Sequence, residues 1–149
     1  MAFTPSRSGS ALLADAPFDG SVSVDGLVSG GIVAPTSADE VAAVLDEAAR
    51  RGLAVAPIGG GTKLALGNVP DRLDVALSTR GLGGVIAYEP TDLVLSVGAG
   101  ARLADVQAVL AEHGQSLPID PPDGGEATIG GLIATAIAGP RRLGNPTLR

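Results

Sequence analysis

Residues 32–63 read IVAPTSADEVAAVLDEAARRGLAVAPIGGGTK, and this stretch predicts how the first half of the chain folds. It opens with the composition of a short strand, and Ser37 with Glu40 then forms the S-x-x-E pattern of a helix capping box. Apolar side chains follow at helical spacing, at Val41, Val44, Leu45 and Ala48. Because Gly52 can take the left-handed conformation that ends a helix, we predict a helix from Ser37 to Arg51.

A second strand is predicted at residues 53–57, so that strand 32–35, the helix and this strand form a β-α-β unit. A second helix is predicted at residues 102–113, where apolar residues recur at helical spacing and Gly114 follows. Further extended segments are predicted at residues 73–77, 85–88, 93–97 and 117–119. The predicted fold class is therefore α+β, a small β-α-β subdomain followed by a mixed sheet with helices.

The N-terminal segment has a different composition. Residues 1–25 mix Ser, Gly, Pro and Asp without a hydrophobic period, which predicts a mobile leader, with ordered structure starting near Val28. Residues 26–149 then form one domain or a large part of one. The short apolar stretch 11–14 ends at Asp15, and no apolar run is long enough to cross a bilayer. We therefore expect a cytoplasmic protein without direct membrane insertion.

Composition excludes several functional classes. The chain has 149 residues, with 10 basic and 16 acidic side chains and a formal charge of −6 at pH 7, the wrong sign for a nucleic-acid surface. It contains no Cys and one His, which excludes Cys-ligated zinc, iron-sulfur clusters and multi-histidine metal sites within this sequence. We expect no nucleic-acid partner, no metal and no catalytic side chain.

The first candidate site is Pro57-Ile58-Gly59-Gly60-Gly61-Thr62-Lys63, which follows the second predicted strand. Consecutive glycines let successive N–H groups point into one concavity, which suits phosphate oxygens without requiring basic side chains. The motif is not G-x-G-x-x-G, because Leu64 stands at its last position, nor a Walker loop, because Thr62 precedes Lys63. A plain flexible turn is the alternative, and Lys63 either contacts a phosphate or is solvated.

The second candidate site reads TIGGLIATAIAG and runs from Thr128 to Gly139. Thr128 can cap a short helix, and the paired glycines Gly130 and Gly131 could present free N–H groups to an anion or a flat ring. The alternative is a helix whose small residues allow close packing against a neighbour. The residues alone leave both alternatives open.

Together, in this order, these segments resemble the first half of the FAD-binding domain of the para-cresol methylhydroxylase (PCMH) and vanillyl-alcohol oxidase superfamily. Glycolate-oxidase-type FAD-binding subunits are the most similar members. The segments that carry the resemblance are residues 32–37, 57–63, 89–100, 113–115, 120–122, 127–135 and 139–142. The resemblance implies a PCMH-type FAD-binding domain that is incomplete, with only its N-terminal part present in residues 26–149. We therefore expect the chain to be a fragment.

For the site, the resemblance implies that the loop Gly59–Thr62 wraps the pyrophosphate of FAD and that the segment after Thr128 lines the cofactor from the other side. The implied cofactor-binding residues are Pro57, Ile58, Gly59, Gly60, Gly61, Thr62, Lys63, Pro121, Thr128, Gly130, Gly131 and Thr135. We expect noncovalent attachment, because the loop carries no His or Cys that could bond the flavin. The chemistry would belong to the flavin.

The function that the resemblance implies is an FAD-binding subunit of an oxidoreductase that acts on a small 2-hydroxy acid such as glycolate. Other glycolate-oxidase-type subunits are then candidate partners. The alternative is a truncated, non-catalytic remnant, or a flavin-binding module without turnover. Flavin colour in the purified protein separates a chain that binds the cofactor from a remnant that does not.

Overall fold

The computed structural model describes residues 8–14, 21–122, 125–137 and 139–140. Residues 1–7 and 15–20 of the predicted leader, and residues 141–142 of the resemblance, lie outside this described part. The helices are α1 (Gly9–Ala14), α2 (Ala38–Arg51), α3 (Leu103–Ala111) and α4 (Ile129–Thr135), with a 3-10 turn at Arg80–Leu82. The strands are β1 (Ser23–Val24), β2 (Leu27–Val28), β3 (Ile32–Val33), β4 (Val55–Ile58), β5 (Val75–Ser78), β6 (Val85–Glu89) and β7 (Val94–Val97).

These elements fall into two compact units. The described residues of 1–58 and 67–81 form the first unit, and those of 59–66 and 82–149 form the second. The combination of helices and strands confirms the predicted α+β class. Across the described part of the chain, none of the helices has the length and apolar character needed to cross a membrane.

Helix α2 begins and ends where the capping pattern predicts. The Ser37 side chain accepts a hydrogen bond from the Glu40 N–H at 3.2 Å, and Ser37 itself is extended, with φ −142°. At the other end Gly52 is left-handed, with φ 65°, and its N–H donates to carbonyl groups of the last turn. Both ends satisfy backbone groups that a helix leaves unpaired, so local sequence determines this helix.

The Glu40 carboxylate fixes the turn that leads into α2. Glu40 is 6% exposed, and its Oε2 accepts hydrogen bonds from the Thr36 N–H at 2.8 Å and from the Thr36 hydroxyl at 3.0 Å. A carboxylate tolerates burial when hydrogen bonds replace its lost water. The capping box therefore also anchors the residue that precedes the cap.

The first unit is built on a parallel sheet in the order β3, β5, β4. Strand β5 lies between the two strands of the predicted β-α-β unit, and its Ala76 pairs with Ile32 on one side and Ala56 on the other. Val75, Ala76 and Leu77 are each at most 9% exposed, as expected for a central parallel strand that is covered on both faces. The β-α-β unit is present, but its two strands are not neighbours, because the more deeply buried strand β5 lies between them.

Helix α1 packs against α2 in the segment where the sequence predicts a mobile leader. Leu13 is buried in the same apolar core as Val44 of α2. Gly9 lies so close to α2 that an added Cβ would overlap the Ala43 carbonyl oxygen. The helix is six residues long and too short to show a hydrophobic period, so its packing against α2, which the sequence does not reveal, supports it.

Strands β1 and β2 form an antiparallel hairpin that crosses the predicted leader boundary, with β1 inside residues 1–25 and β2 beyond them. The turn residues Asp25 and Gly26 both have positive φ, at 49° and 88°. Asp-Gly is a favoured dipeptide for a two-residue hairpin turn with this backbone geometry. Ordered structure therefore begins before Val28 within the described residues.

The second unit packs α3 against the antiparallel pair β6 and β7. Ala101, Val106 and Leu110 form a buried cluster, and Tyr88 and Leu95 of the two strands pack on it. An antiparallel sheet commonly covers one face in this way and leaves the other exposed. Both predicted strands and the predicted helix are confirmed, although α3 ends earlier than predicted, at Ala111.

The segment 117–119, predicted to be extended, does not pair with a strand in the described part of the chain. Gln107 serves as its partner instead: the Gln107 Nε2 donates to the Leu117 carbonyl at 2.8 Å, and the Leu117 N–H donates to the Gln107 Oε1 at 3.0 Å. One side-chain amide thus satisfies both backbone groups of Leu117. A strand partner is not needed there.

Replacing Glu40 by Ala should destabilise the chain, because the N–H and hydroxyl of Thr36 lose the buried carboxylate that accepts their hydrogen bonds. We expect the free energy of unfolding to fall by about 1–3 kcal/mol. Urea denaturation followed by far-UV circular dichroism measures this loss. Asp39→Ala is the matched control, since it removes an exposed carboxylate from the same turn and should cost less than about 1 kcal/mol. Equal losses in the two variants would contradict the role given to Glu40.

Candidate cofactor-binding site

We call residues 57–63 and 128–139 the two glycine segments. Residues 59–60 of the first lie against residues 126–128, at the start of the second, within the second unit. Gly59 faces Thr128 so closely that an added Cβ would overlap the Thr128 Oγ1. Gly60 faces the Glu126 carbonyl oxygen in the same way, and an added Cβ there would overlap that oxygen. Glycine is therefore required at both positions by packing of the protein on itself, before any ligand is considered.

Gly61 is glycine for a different reason. Its φ of 76° lies in the left-handed region, and the nearest atom to an added Cβ is the Leu64 Cδ1, at 4.0 Å. Within the described part of the chain, the N–H groups of Gly61 and Thr62 make no hydrogen bond. Successive backbone donors at such a turn form the concavity that binds anions. The loop therefore has both space and donors for a phosphate group.

The Lys63 ammonium group binds carbonyl groups of the second unit. Its Nζ donates to the Pro122 carbonyl at 3.1 Å and to the Thr62 carbonyl at 3.3 Å. The half-buried side chain thus joins the glycine loop to the turn that contains buried Pro121. These contacts show that the Lys63 side chain is not simply solvated.

Helix α4 begins at the predicted cap, where the Thr128 Oγ1 accepts a hydrogen bond from the Gly131 N–H at 3.3 Å. The Ile129 and Gly130 N–H groups donate to carbonyl groups of the turn 99–101, at 2.9 and 2.8 Å. The first three donors of the helix are therefore occupied within the protein. Of the two alternatives that the sequence leaves open for this segment, the hydrogen bonds favour close packing over free N–H groups.

The remaining groups of α4 are small or apolar on the outside. Gly130 packs on the turn below it, where an added Cβ would lie 2.9 Å from the Ala99 carbonyl oxygen. The Thr135 hydroxyl donates to the Gly131 carbonyl at 2.8 Å, within the helix. Ile133 is 52% exposed. This surface suits a flat apolar ring better than a phosphate group.

Pro57 and Ile58 belong to β4 of the first unit, with Pro57 exposed and Ile58 buried. The Ile58 carbonyl accepts hydrogen bonds from the Thr79 N–H at 2.8 Å and the Thr79 hydroxyl at 3.2 Å, so this part of the motif completes the sheet. The second unit contains the other predicted site residues: Gly59, Gly60, Gly61, Thr62, Lys63, Pro121, Thr128, Gly130, Gly131 and Thr135.

Arg102 is a cation of the second unit that already has two acidic partners. Its Nε and guanidinium nitrogen donate to both carboxylate oxygens of Asp105, at 2.9 and 2.8 Å, and it lies 3.5 Å from Glu126. Hydrogen bonding between them raises the pKa of Arg102 and lowers the pKa of Asp105. The charge of this guanidinium is therefore already balanced by carboxylates of the protein.

Two further observations limit the chemistry of the site. Among the described residues, no group of three or more His, Asp or Glu side chains could hold a metal ion. An apolar cavity of about 250 Å³ in the second unit has only aliphatic lining and offers no reactive group. Its lining residues are Leu93, Leu95, Val97, Leu117, Ile119, Ile129 and Leu132.

Sequence reasoning missed two residues that shape the site, Glu126 and Ala99. Each contributes through its backbone: the Glu126 carbonyl faces Gly60, and the Ala99 carbonyl accepts the Gly130 N–H. Backbone carbonyls are present at every residue, so their use leaves no mark in residue type. Only the glycines opposite them, Gly60 and Gly130, carry a signal in the sequence.

Comparison with known proteins identifies a family. A model of the FAD binding domain matches residues 29–145, which include both glycine segments. The chain is 36% identical over 119 residues to the D-lactate dehydrogenase of Archaeoglobus fulgidus, and this alignment covers 79% of this chain and 26% of that protein. It is 33% identical over 118 residues to the mitochondrial D-2-hydroxyglutarate dehydrogenase of Rattus norvegicus, and this alignment covers 79% of this chain and 22% of that protein.

The glycolate oxidase subunit GlcE of Escherichia coli shares 43% identity over 67 residues, covering 44% of this chain and 19% of GlcE. The aligned part of the chain thus spans between 19% and 26% of the length of these three relatives. Among solved structures, an alkyldihydroxyacetonephosphate synthase superposes with a TM-score of 0.70 at 24% identity, over 80% of this chain and 25% of that chain. That likeness shows the same fold.

The two kinds of glycine predict different stabilities after substitution. Gly60→Ala should lower the free energy of unfolding by about 2–3 kcal/mol, because the new methyl group overlaps a backbone oxygen that has little freedom to move. Gly61→Ala should cost about 1 kcal/mol, because it strains only its own backbone. Urea denaturation of both variants measures the difference. If Gly60→Ala is no less stable than Gly61→Ala, the packing contact is not the reason for Gly60.

Proposed function

The chain belongs to the FAD binding domain family, whose cofactor is FAD, and we propose that it binds FAD noncovalently through its two glycine segments. In this proposal the Gly61 and Thr62 N–H groups hold the pyrophosphate, and the outer surface of α4 lies beside an apolar part of the cofactor. We propose further that the chain is the FAD-binding part of an oxidoreductase that acts on a small 2-hydroxy acid such as glycolate.

The observation that carries the proposal is the contact between the two glycine segments. Gly59 and Gly60 lack the side chains that would keep the loop away from residues 126–128, so the loop and the start of α4 are adjacent in the second unit. Two segments that are far apart in sequence can therefore contribute to one binding site. Their chemistry also differs in the way that a dinucleotide requires, with free donors on the loop and apolar surface on the helix.

The donor set fits a phosphate in an acidic protein. Two unbonded backbone N–H groups at Gly61 and Thr62 can donate to phosphate oxygens without a positively charged side chain. The formal charge of the chain is −6, and Arg102 is paired with carboxylates, so the proposal gives the main contact with the phosphate to backbone donors. Binding would then depend on hydrogen bonds and shape more than on long-range attraction.

The substrate class is proposed from the relatives. Three of them are named for glycolate, D-lactate and D-2-hydroxyglutarate, and each of these acids carries a hydroxyl group next to a carboxylate. A bound flavin supplies the acceptor for a hydride from such an alcohol carbon. The residues of this chain would bind and orient the cofactor, and none is proposed as catalytic. The similarity to GlcE, itself named as a subunit, supports other glycolate-oxidase-type subunits as proposed partners.

A charge placed at Gly61 tests the phosphate assignment. Asp and Asn are nearly equal in size and both tolerate the left-handed conformation, so Gly61→Asp differs from Gly61→Asn mainly in charge. We expect Gly61→Asp to bind FAD at least about tenfold more weakly than Gly61→Asn, through repulsion that weakens as salt screens it. Fluorescence titration of the purified chain with FAD gives both dissociation constants.

Riboflavin serves as the ligand control for that titration, because it lacks the pyrophosphate. The Asp and Asn variants should bind riboflavin with equal affinity. Equal FAD affinity of the two variants would show that Gly61 does not face the pyrophosphate. No FAD binding by the unsubstituted chain would overturn the proposed function for this chain on its own.

Noncovalent attachment gives a separate expected outcome. The chain contains no Cys, and its single His113 makes an edge contact with the Tyr88 ring, with ring centroids 5.4 Å apart. Acid precipitation of the FAD-loaded chain should therefore release all flavin into the supernatant, where absorbance measures it. Yellow colour that stays in the washed precipitate would contradict noncovalent binding.

A further inference from the structure

Thr128 is buried beneath the site rather than lining it. It is 1% exposed, so its side chain has almost no surface with which to touch a cofactor. Its Oγ1 instead contacts both glycine segments: it accepts the Gly131 N–H at 3.3 Å, and it occupies the position that an added Cβ on Gly59 would take. A single oxygen atom therefore lies between the loop and the helix.

We propose that the Thr128 hydroxyl is a positioning group that sets the separation between loop 59–62 and α4, and through it the cofactor affinity. This inference rests on the proposed function, since it assigns Thr128 a role in FAD binding without contact to FAD. The Thr128 backbone is itself fixed: Thr128 pairs with Arg102 in an isolated antiparallel bridge, and the neighbouring Ala127 carbonyl accepts the Leu103 N–H at 2.8 Å.

The reason for a hydroxyl at this position is its dual character. As a cap, the oxygen satisfies the Gly131 donor, which would otherwise be left unpaired in a half-buried place. As a spacer, it is small enough for Gly59 to approach, because Gly59 has no Cβ. Removing the oxygen leaves the cap empty and a gap under the loop, so the Gly61 and Thr62 donors lose their fixed place relative to α4.

Serine and alanine at position 128 differ by only this oxygen. We expect Thr128→Ser to bind FAD within about threefold of the unsubstituted chain, and Thr128→Ala to bind at least about tenfold more weakly than Thr128→Ser. Fluorescence titration with FAD gives the three dissociation constants. The serine variant tests rescue by the conservative change, which separates the hydroxyl from the lost methyl group.

Ser37→Ala is the matched control for a purely structural loss. It deletes the same hydroxyl from the same kind of cap, since the Ser37 side chain accepts the Glu40 N–H at 3.2 Å at the start of α2. Ser37→Ala and Thr128→Ala should both lower the melting temperature of the chain without FAD. Ser37→Ala should leave the FAD dissociation constant unchanged. If Ser37→Ala weakens FAD binding as much as Thr128→Ala, or if the Ser and Ala variants at 128 bind equally, the proposal is wrong.

Nuclear magnetic resonance of the unliganded chain tests the same proposal without FAD. The amide resonances of residues 59–62 should shift in Thr128→Ala, return towards their original positions in Thr128→Ser, and stay in place in Ser37→Ala. Unshifted loop resonances in Thr128→Ala would overturn the positioning role. If the unsubstituted chain binds no FAD but these shifts occur, the proposed function fails while the coupling of Thr128 to the loop stands.

Discussion

Close approach of backbone to backbone at Gly59 and Gly60 is the constraint on which the second unit depends. A Cβ at either position would occupy space that belongs to Thr128 or to the Glu126 carbonyl. The loop can therefore lie against the start of α4 only while both positions are glycine. The position of the loop in turn determines where the N–H groups of Gly61 and Thr62 lie relative to α4.

The three neighbouring glycines are therefore required for two different physical reasons. At Gly59 and Gly60 the demand is space, and it comes from the protein itself. At Gly61 the demand is conformation, because φ is 76° and the space beside the residue is open. The three glycines look alike in sequence, but two of them allow close packing and the third allows a left-handed backbone. Of the three, only Gly61 has open space beside it.

Local sequence determines where several elements of this chain begin and end. The cap at Ser37, the left-handed Gly52 and the cap at Thr128 are each set by residues within a few positions, and all three appear as predicted. The Asp25-Gly26 turn is an equally local signal, because this dipeptide favours a two-residue hairpin turn. The central place of β5 and the packing of α1 on α2 depend on partners distant in sequence, for which one sequence gives no pairing information. The sequence also does not predict the hydrogen bonds of Gln107 to Leu117, because there a side chain takes the place of a strand partner.

The same distinction applies to the candidate site, because the sequence predicts which segments form it but not the hydrogen bonds that they make. Residue types reveal where backbone can turn or approach closely, so both glycine segments were found. They do not reveal which N–H groups remain unbonded, because that depends on where distant carbonyls fall. The 99–101 turn supplies two such carbonyls to α4, and Thr128 supplies its own hydroxyl. Those three bonds occupy the first donors of the helix, so our proposal assigns anion binding to Gly61 and Thr62, and to α4 an apolar surface beside the cofactor.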